Sequence, residues 1–268
     1  MSALCCPVCK EPLAWPPGGP VRCSNNHSFD IARAGYVHLA PAGHGGSNIT
    51  GDTKPMATNR RDFLAGGWYA PLAERLAGLV QELAPAVVCE SGCGTGYYLG
   101  AVAHALPGAQ CFGTDVSVDA LRIAARDNPS CTFFVNDITQ QITLQTSSVD
   151  ALLTVFAPRN AAEFARVVRP GGHAVVVVPS EHHLAELRQY GPLLRVGSEK
   201  VREVTTQLAP AFTLQHQEPL AYSVALPKPA LEQLVAMTPT AHHHGNFVFP
   251  SEVTAQVAVQ VLVFERDS

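Results

Sequence analysis

A short apolar run that ends in an acid and then breaks into alternating glycines constrains this chain more than any other feature. Ala86-Val87-Val88-Cys89-Glu90 has the length and β-branched content of a buried strand. Ser91 follows, then Gly92-Cys93-Gly94-Thr95-Gly96-Tyr97-Tyr98. Strand, glycine turn and helix form the opening unit of a nucleotide-binding α/β fold. Glycine takes backbone angles that other residues resist and lets a ligand lie against bare main chain. The spacing is Gly-x-Gly-x-Gly. Tyr97 stands where the dinucleotide pattern Gly-x-Gly-x-x-Gly needs its last glycine, so that pattern is not met.

Two further acids fall at expected strand ends. Gln110-Cys111-Phe112-Gly113-Thr114-Asp115 predicts a second strand whose Asp115 can hold two ribose hydroxyls. Cys131-Thr132-Phe133-Phe134-Val135 predicts a third, ending at Asn136-Asp137, where Asp137 can accept from an adenine amino group. Glu90, Gly92, Gly94, Gly96, Asp115 and Asp137 together suit a nucleoside joined to methionine, and S-adenosylmethionine is the expected cofactor. The next strand, Val149 to Val155, runs into Phe156-Ala157-Pro158-Arg159-Asn160. Ligands of open α/β sheets bind outside the carboxyl ends of strands. Phe156 and Asn160 are therefore candidates to meet the substrate, with Asn160 equally suited to cap the following helix. After a turn at Arg169-Pro170-Gly171-Gly172, a strand from His173 to Val178 leads into Pro179-Ser180-Glu181-His182-His183-Leu184, expected to open a helix. His182 or His183 would line the cofactor crevice, and His182 is a catalytic candidate. Helices are also expected at about Met56–Ala65, Tyr69–Leu83 and Ser198–Leu208, and a last strand at Thr254–Phe264.

The N-terminal segment carries a second chemistry. Cys6-Pro-Val-Cys9 and Cys23-Ser-Asn-Asn-His27 supply four soft or borderline ligands in two close pairs. Zinc takes four such ligands as a tetrahedron. Pro16-Pro17-Gly18-Gly19-Pro20 between the pairs is a turn, so two knuckles joined by a hairpin are expected. Cys5 could replace Cys6, but the Cys-Pro-x-Cys form favours Cys6. Cys89, Cys93, Cys111 and Cys131 are expected in the core. His242, His243 and His244 are adjacent and point in different directions, which does not imply a shared ion.

Composition narrows the function class. No run of about 18 apolar residues is present, so no membrane span is expected. Met1-Ser-Ala-Leu-Cys-Cys lacks a secretory pattern, and a cytoplasmic protein is the expectation. Net charge is −4, with the balance mildly positive through Asp62 and negative beyond it. Only four lysines occur, whereas a chain that grips many phosphates usually shows a basic face.

Several of these motifs together resemble a known family. Cys6-x-x-Cys9…Cys23-x-x-x-His27-Ser-Phe-Asp-x-Ala-x-x-Gly-Tyr-Val, Arg61-x-Phe-Leu-x-x-Gly-x-Tyr69-x-Pro-Leu, Gly92-Cys-Gly-x-Gly-Tyr-Tyr, Phe156-Ala-Pro158, Arg169-Pro-Gly-Gly172 and His183-Leu-x-Glu-Leu are similar to bacterial large-subunit rRNA guanine-N1-methyltransferases. The likeness spans nearly the whole chain and is nearest the macrolide-resistance branch. It implies a Rossmann-like class I S-adenosylmethionine-dependent methyltransferase fold, zinc at Cys6, Cys9, Cys23 and His27, cofactor contacts at Tyr69, Gly96, Tyr97 and His183, and a homodimer. The implied substrate is a guanine in an rRNA hairpin loop. The expected division is a zinc-binding module at 1–40, a linker and helical segment at 41–84 and the methyltransferase domain at 85–268. Three departures from the family pattern, the first being Glu90-Ser91-Gly92 in place of Asp-Ile-Gly, leave open an alternative substrate, an aromatic small molecule such as an indole or a cyclodipeptide-type metabolite. The linker Ala42–Asn48 has no Lys or Arg, and Met237-Thr-Pro239 continues to Thr240-Ala241-His242 rather than to a tryptophan that could stack on a base.

Overall fold

A computed structural model describes residues 3–16, 19–40, 51–191, 197–238 and 247–268. The chain begins with three very short strands, β1 (Leu13–Ala14), β2 (Val21–Cys23) and β3 (Ser28–Phe29), in one antiparallel sheet. Then come β4 (Tyr36–His38), α1 (Lys54–Ala65), α2 (Ala70–Glu82), β5 (Val87–Ser91), α3 (Tyr97–Ala105), β6 (Gln110–Asp115), α4 (Val118–Asp127), β7 (Thr132–Val135) and β8 (Val149–Val155). The remainder is α5 (Ala161–Val167), β9 (Val168–Pro179), a 3₁₀ turn (Ala185–Tyr190), α6 (Lys200–Leu208), β10 (Phe212–Pro227), α7 (Lys228–Ala236) and β11 (Glu252–Arg266).

The second sheet has the order β10-β11-β9-β8-β5-β6-β7-β4. β4 to β9 pair in parallel, and β11 pairs antiparallel with both β9 and β10. The chain winds outward from β5 through β6 to β7, then returns to lay β8 on the other side of β5. That reversal opens a crevice at the carboxyl ends of β5 and β8, where ligands of such sheets bind. Apolar cores fill both faces, as continuous valine-rich parallel strands require. On α2 the buried stripe is Leu72, Leu76, Leu79 and Val80, the spacing the sequence predicts.

Two elements differ from expectation. Arg169–Gly172 lies within β9, but Val149 pairs with Val168 and Ala151 with His173, so the four residues between loop out of the ladder. The turn chemistry is kept as an irregularity inside one strand, with Gly171 at φ 70°. No α-helix opens at Pro179. Leu184 stands at φ 50° and a short 3₁₀ turn follows, because the His183 ring is drawn back onto β11.

The ribbon is not a separate body. β4 pairs with β7 as the edge strand of the large sheet, so residues 36–38 belong to it although they lie within the expected 1–40 module. Leu4 bridges Leu144, the Cys5 N–H donates to the Thr143 carbonyl at 3.0 Å, and the Gln145 N–H donates to the Ala3 carbonyl at 2.8 Å. Leu4, Leu13 and Val21 share one apolar cluster with Phe112, Phe134 and Leu144. Cys89, Cys93, Cys111 and Cys131 are buried and free, as expected of core residues. No helix among the described residues is long and apolar enough to cross a membrane.

Candidate functional site

The glycine turn is shaped by contacts on both sides. Gly92, Gly94 and Gly96 all have positive φ, at 75°, 52° and 75°. A Cβ on Gly92 would come within 2.5 Å of the Ala157 side chain, so the loop after β8 packs directly on the turn. The Thr114 carbonyl accepts the N–H groups of Gly92 at 2.9 Å and Cys93 at 3.0 Å. Asp115 completes the turn: Oδ2 accepts the Gly94 N–H at 2.9 Å and Oδ1 the Ser117 N–H at 2.8 Å.

Two acids lie buried here. Glu90 is 1% exposed, and Oε2 accepts the Leu99 N–H at 2.9 Å. Burial pushes its carboxyl up to about 8, with Asp115 adding to the rise. Burial likewise raises Asp115, against the pull of the Ser117 and Gly94 backbone N–H groups. Desolvated carboxylates around a bare turn favour a cationic ligand in addition to Arg60, whose charge already acts on Asp115. The ammonium and sulfonium of S-adenosylmethionine supply that charge, so this donor set fits the expected cofactor. Asp137 lies at the end of β7, and its Oδ1 accepts the Thr139 N–H at 2.9 Å in a local turn.

An aromatic cluster stands across the crevice. Tyr69, just before α2, is 4% exposed, and its hydroxyl lies 3.1 Å from His183 Nε2. The Ala258 N–H donates to His183 Nδ1 at 3.2 Å. A backbone N–H can only donate, so Nδ1 accepts. Burial holds the His183 ring down at about 4, hence neutral at pH 7. The ring proton is therefore on Nε2 and is donated to the Tyr69 oxygen. Phe156, at the tip of β8, has φ 55° and is 41% exposed. Its ring centre is 6.3 Å from Tyr69 and 5.7 Å from His183. A bulky residue held at positive φ with its ring in solvent is a mark of function rather than packing.

Other candidates take other places. The Asn160 Oδ1 accepts the Glu163 N–H at 3.3 Å as the cap of α5, and its Nδ2 donates to the Thr139 carbonyl at 3.2 Å. The His182 side chain is 72% exposed beside Glu181. Tyr97 is half-buried at the start of α3. His242, His243 and His244 lie outside the described residues, as does the 41–50 stretch of the linker. Arg60 is a residue for which the sequence analysis names no role. The structure ties its Nε to Asp52 at 2.6 Å and Nη2 to the Met237 carbonyl at 2.8 Å, beside Gly94. The Ser117 hydroxyl donates to the Asp52 carbonyl at 2.5 Å, so this strap lies against the mouth of the crevice. Nothing local in the sequence links Arg60 to Met237.

Cys6, Cys9, Cys23 and His27 bring their ligand atoms within 4.8 Å of one another. Cys9 Sγ to Cys23 Sγ is 3.7 Å, and His27 Nδ1 lies 3.6 Å from Cys6 Sγ and 3.4 Å from Cys23 Sγ. A zinc tetrahedron with bonds of about 2.3 Å to sulfur and 2.0–2.1 Å to nitrogen has edges of about 3.8 and 3.6 Å. The four residues fit that ion. Lys10 and Asn26 take left-handed angles at the two knuckles, where the Lys10 N–H donates to the Cys6 carbonyl and the Asn26 N–H to the Cys23 carbonyl. The Glu11 backbone N–H holds the Cys9 thiol down at about 6, towards the thiolate that binds metal. Cys5 is buried outside the cluster.

An Asp115→Ala variant is expected to bind S-adenosylmethionine more weakly by about 1–3 kcal/mol, since the Gly94 N–H of the glycine turn loses its acceptor and the sequence expectation puts the ribose hydroxyls on this carboxylate. Calorimetry giving the parent affinity would show the ribose site is elsewhere.

Comparison with known proteins agrees with both halves. The family described as "RlmA, N-terminal", a zinc ribbon, matches residues 4–48, and the family "Methyltransferase domain" matches 88–172. The 23S rRNA (guanine(748)-N(1))-methyltransferase of Streptomyces fradiae is 38% identical over 95% of this chain and 90% of its own. A Micromonospora griseorubida protein provisionally named for 23S rRNA guanine-N1 methylation is also 38% identical over 95% and 90%. A solved Bacillus halodurans C-125 chain, provisionally named a methyltransferase, superposes with a TM-score of 0.51 at 14% identity, covering 72% of this chain and 99% of its own.

Proposed function

Because the chain belongs to the family of 23S rRNA guanine-N1-methyltransferases, we propose that its substrate is a guanine exposed in an rRNA hairpin loop, methylated at N1. The protein is an S-adenosylmethionine-dependent methyltransferase with a zinc ribbon. Bound S-adenosylmethionine supplies a methyl group made electrophilic by its sulfonium, and the chain supplies approach and orientation.

The observation that carries the substrate reading is Phe156. The chain lacks the tryptophan expected after Met237-Thr-Pro239, and the strand tip beside the glycine turn presents a partly exposed aromatic ring. A base turned out of an RNA loop gains its binding energy from such a face. Glu90, Gly92, Gly94, Gly96, Tyr97, Asp115 and Asp137 hold the cofactor, and Tyr69 and His183 close the crevice opposite. Guanine N1 must lose a proton. His183 cannot take it, since Nδ1 already accepts a hydrogen bond and Nε2 carries the ring proton. It acts as a positioning residue that turns the Tyr69 hydroxyl. The proton goes to solvent or to the exposed His182 at the rim, while Asn160 holds the loop. Work on ribosomal RNA implies a cytoplasmic enzyme.

The small aromatic substrate is kept as the second reading because two of the six N-terminal arginines and lysines are taken up by ion pairs. Arg60 and Arg61 are neutralised by Asp52 and Asp62, leaving Arg22, Arg33 and Lys54 as the N-terminal arginines and lysine without an ion pair among the described residues, together with Lys10. Incubation with methyl-labelled cofactor and either unmodified 23S rRNA or a panel of indoles separates the two. Label in RNA at a guanine N1 is expected, and label only in an indole would refute the RNA assignment. Phe156→Ala should lower kcat/KM on RNA by about 10–100-fold, the loss of one stacking face worth about 1–3 kcal/mol, with cofactor affinity largely retained. Undiminished turnover in that variant would remove Phe156 from the substrate site.

A further inference from the structure

Behind the glycine turn, on the sheet face that meets the ribbon, lies a group of polar side chains that the reaction does not use. Cys89, Phe112, Phe134 and Leu152 are all part of the apolar cluster on that face. Strand residues two positions further point the same way. Those residues are Ser91, Thr114, Asn136 and Thr154, each at most 1% exposed. Ser91 Oγ, Thr114 Oγ1, Asn136 Oδ1 and Thr154 Oγ1 have no hydrogen-bond partner among the described residues.

Their placement is ordered. Ser91 pairs directly with Thr114 across β5 and β6. Cys89 pairs with Leu152 and Glu90 with Leu153, so the next step sets Ser91 beside Thr154. Thr114 pairs with Phe134, and Asn136 stands two residues beyond it as the diagonal neighbour. Thr154, Ser91 and Thr114 thus form one lateral row across three adjacent parallel strands, with Asn136 at its end.

We propose that this row is a site for ordered internal water. Neighbouring strands lie about 4.8 Å apart. Two hydrogen bonds of about 2.8 Å meeting at a tetrahedral oxygen span about 4.6 Å, so one water bridges one pair of neighbouring hydroxyls. A buried water needs two to four polar partners, and the row provides them. The chemistry favours water over a charged ligand. The side chains of the row are neutral, and Glu90 and Asp115, their chain neighbours, alternate onto the opposite face, where Glu90 accepts from Leu99 and Asp115 from Gly94 and Ser117. Thr114 links the row to the crevice, because its carbonyl holds the Gly92 and Cys93 N–H groups while its side chain joins the water.

Thr114→Val and Thr154→Val, made singly and together in the full chain, test the site. Valine keeps the shape and removes the hydroxyl. If water bridges the row, each single variant melts about 2–4 °C below the parent and the pair loses less than the sum, since both changes break one network. If the row is dry, each substitution removes an unmet polar group, and the melting temperature rises or stays level. A level or raised melting temperature, or a strictly additive pair, overturns the proposal. A crystal structure of the parent chain is the second measurement: density for water between Ser91, Thr114 and Thr154 is expected, and its absence overturns the site whatever the variants do.

Discussion

Replacing Cys23 with serine is expected to release the metal and to lower the melting temperature of the whole chain, not of the ribbon alone. The ribbon's own strands are two or three residues long, too short to hold by pairing. Structural zinc contributes an apparent binding energy of about 10–16 kcal/mol in comparable small modules, and that energy is folding energy. Without it the knuckle turns at Lys10 and Asn26 have nothing to close on. The damage then travels through two routes. One is the run Ala3–Cys5, which is hydrogen-bonded to Thr143 and Gln145. The other is β4, paired to β7, whose end carries Asp137. The loop from Asp137 to Gln145 is gripped on its far side by Arg166, whose guanidinium donates to the Ile142 and Leu144 carbonyls. One grip remains when the ribbon fails, so cofactor affinity should fall as well. Metal content and calorimetric unfolding measure this together. A Cys23→Ser protein that keeps stoichiometric zinc, or that melts as the parent does, would overturn the ligand set or the coupling.

The second large effect is a loss of stability as pH rises. The Glu90 carboxyl sits at about 8 in the folded chain against an ordinary 4.5, chiefly because it is buried. The folded state therefore binds that proton more tightly than the unfolded state. Its stabilising contribution is complete below about 4.5 and is lost as pH climbs through about 8. The difference between the two values corresponds to about 5 kcal/mol as an upper bound. His183 acts in the opposite sense: held down at about 4, it contributes above 6.5 and loses that contribution as pH falls. Comparison with Glu90→Gln isolates the acid, since the amide imitates the protonated form. The variant should be more stable than the parent at pH 8.5 and nearly equal at pH 5, while binding S-adenosylmethionine more weakly. A cationic ligand also favours the ionised carboxylate, so binding near pH 7 should release protons, visible as buffer-dependent calorimetric heats. Parallel stability profiles for parent and variant between pH 5 and 8.5 would dismiss this role for Glu90.

What the sequence made legible was local. The strand, glycine turn and acid of residues 86–96 announce themselves because backbone sterics and burial act over a few neighbours. The acids at 115 and 137 follow because strand ends can be counted, and the ribbon follows because zinc imposes its spacing. The position of Phe156 at a strand tip was legible, but its strained backbone and exposed ring were not. The Tyr69–His183 hydrogen bond joins residues 114 apart, and Arg60 reaches Met237 across 177. Such pairs are set by which strands become neighbours, which no periodicity encodes. The same holds for β4. Tyr36-Val37-His38 follows the metal ligands in sequence, yet its hydrogen bonds go to the large sheet. Asn160 suited cap and substrate roles equally until the Glu163 N–H fixed its oxygen.

The edge pairing of β4 has a mechanical consequence. A metal module on a flexible tether could search for its target independently of the catalytic crevice. Here the module's last strand is woven into the sheet that carries the crevice, and its first residues are stitched to the loop beside it. The metal site and the crevice are therefore held at a set spacing by one sheet. On the substrate reading proposed above, a ligand that touched both would meet them at that set spacing.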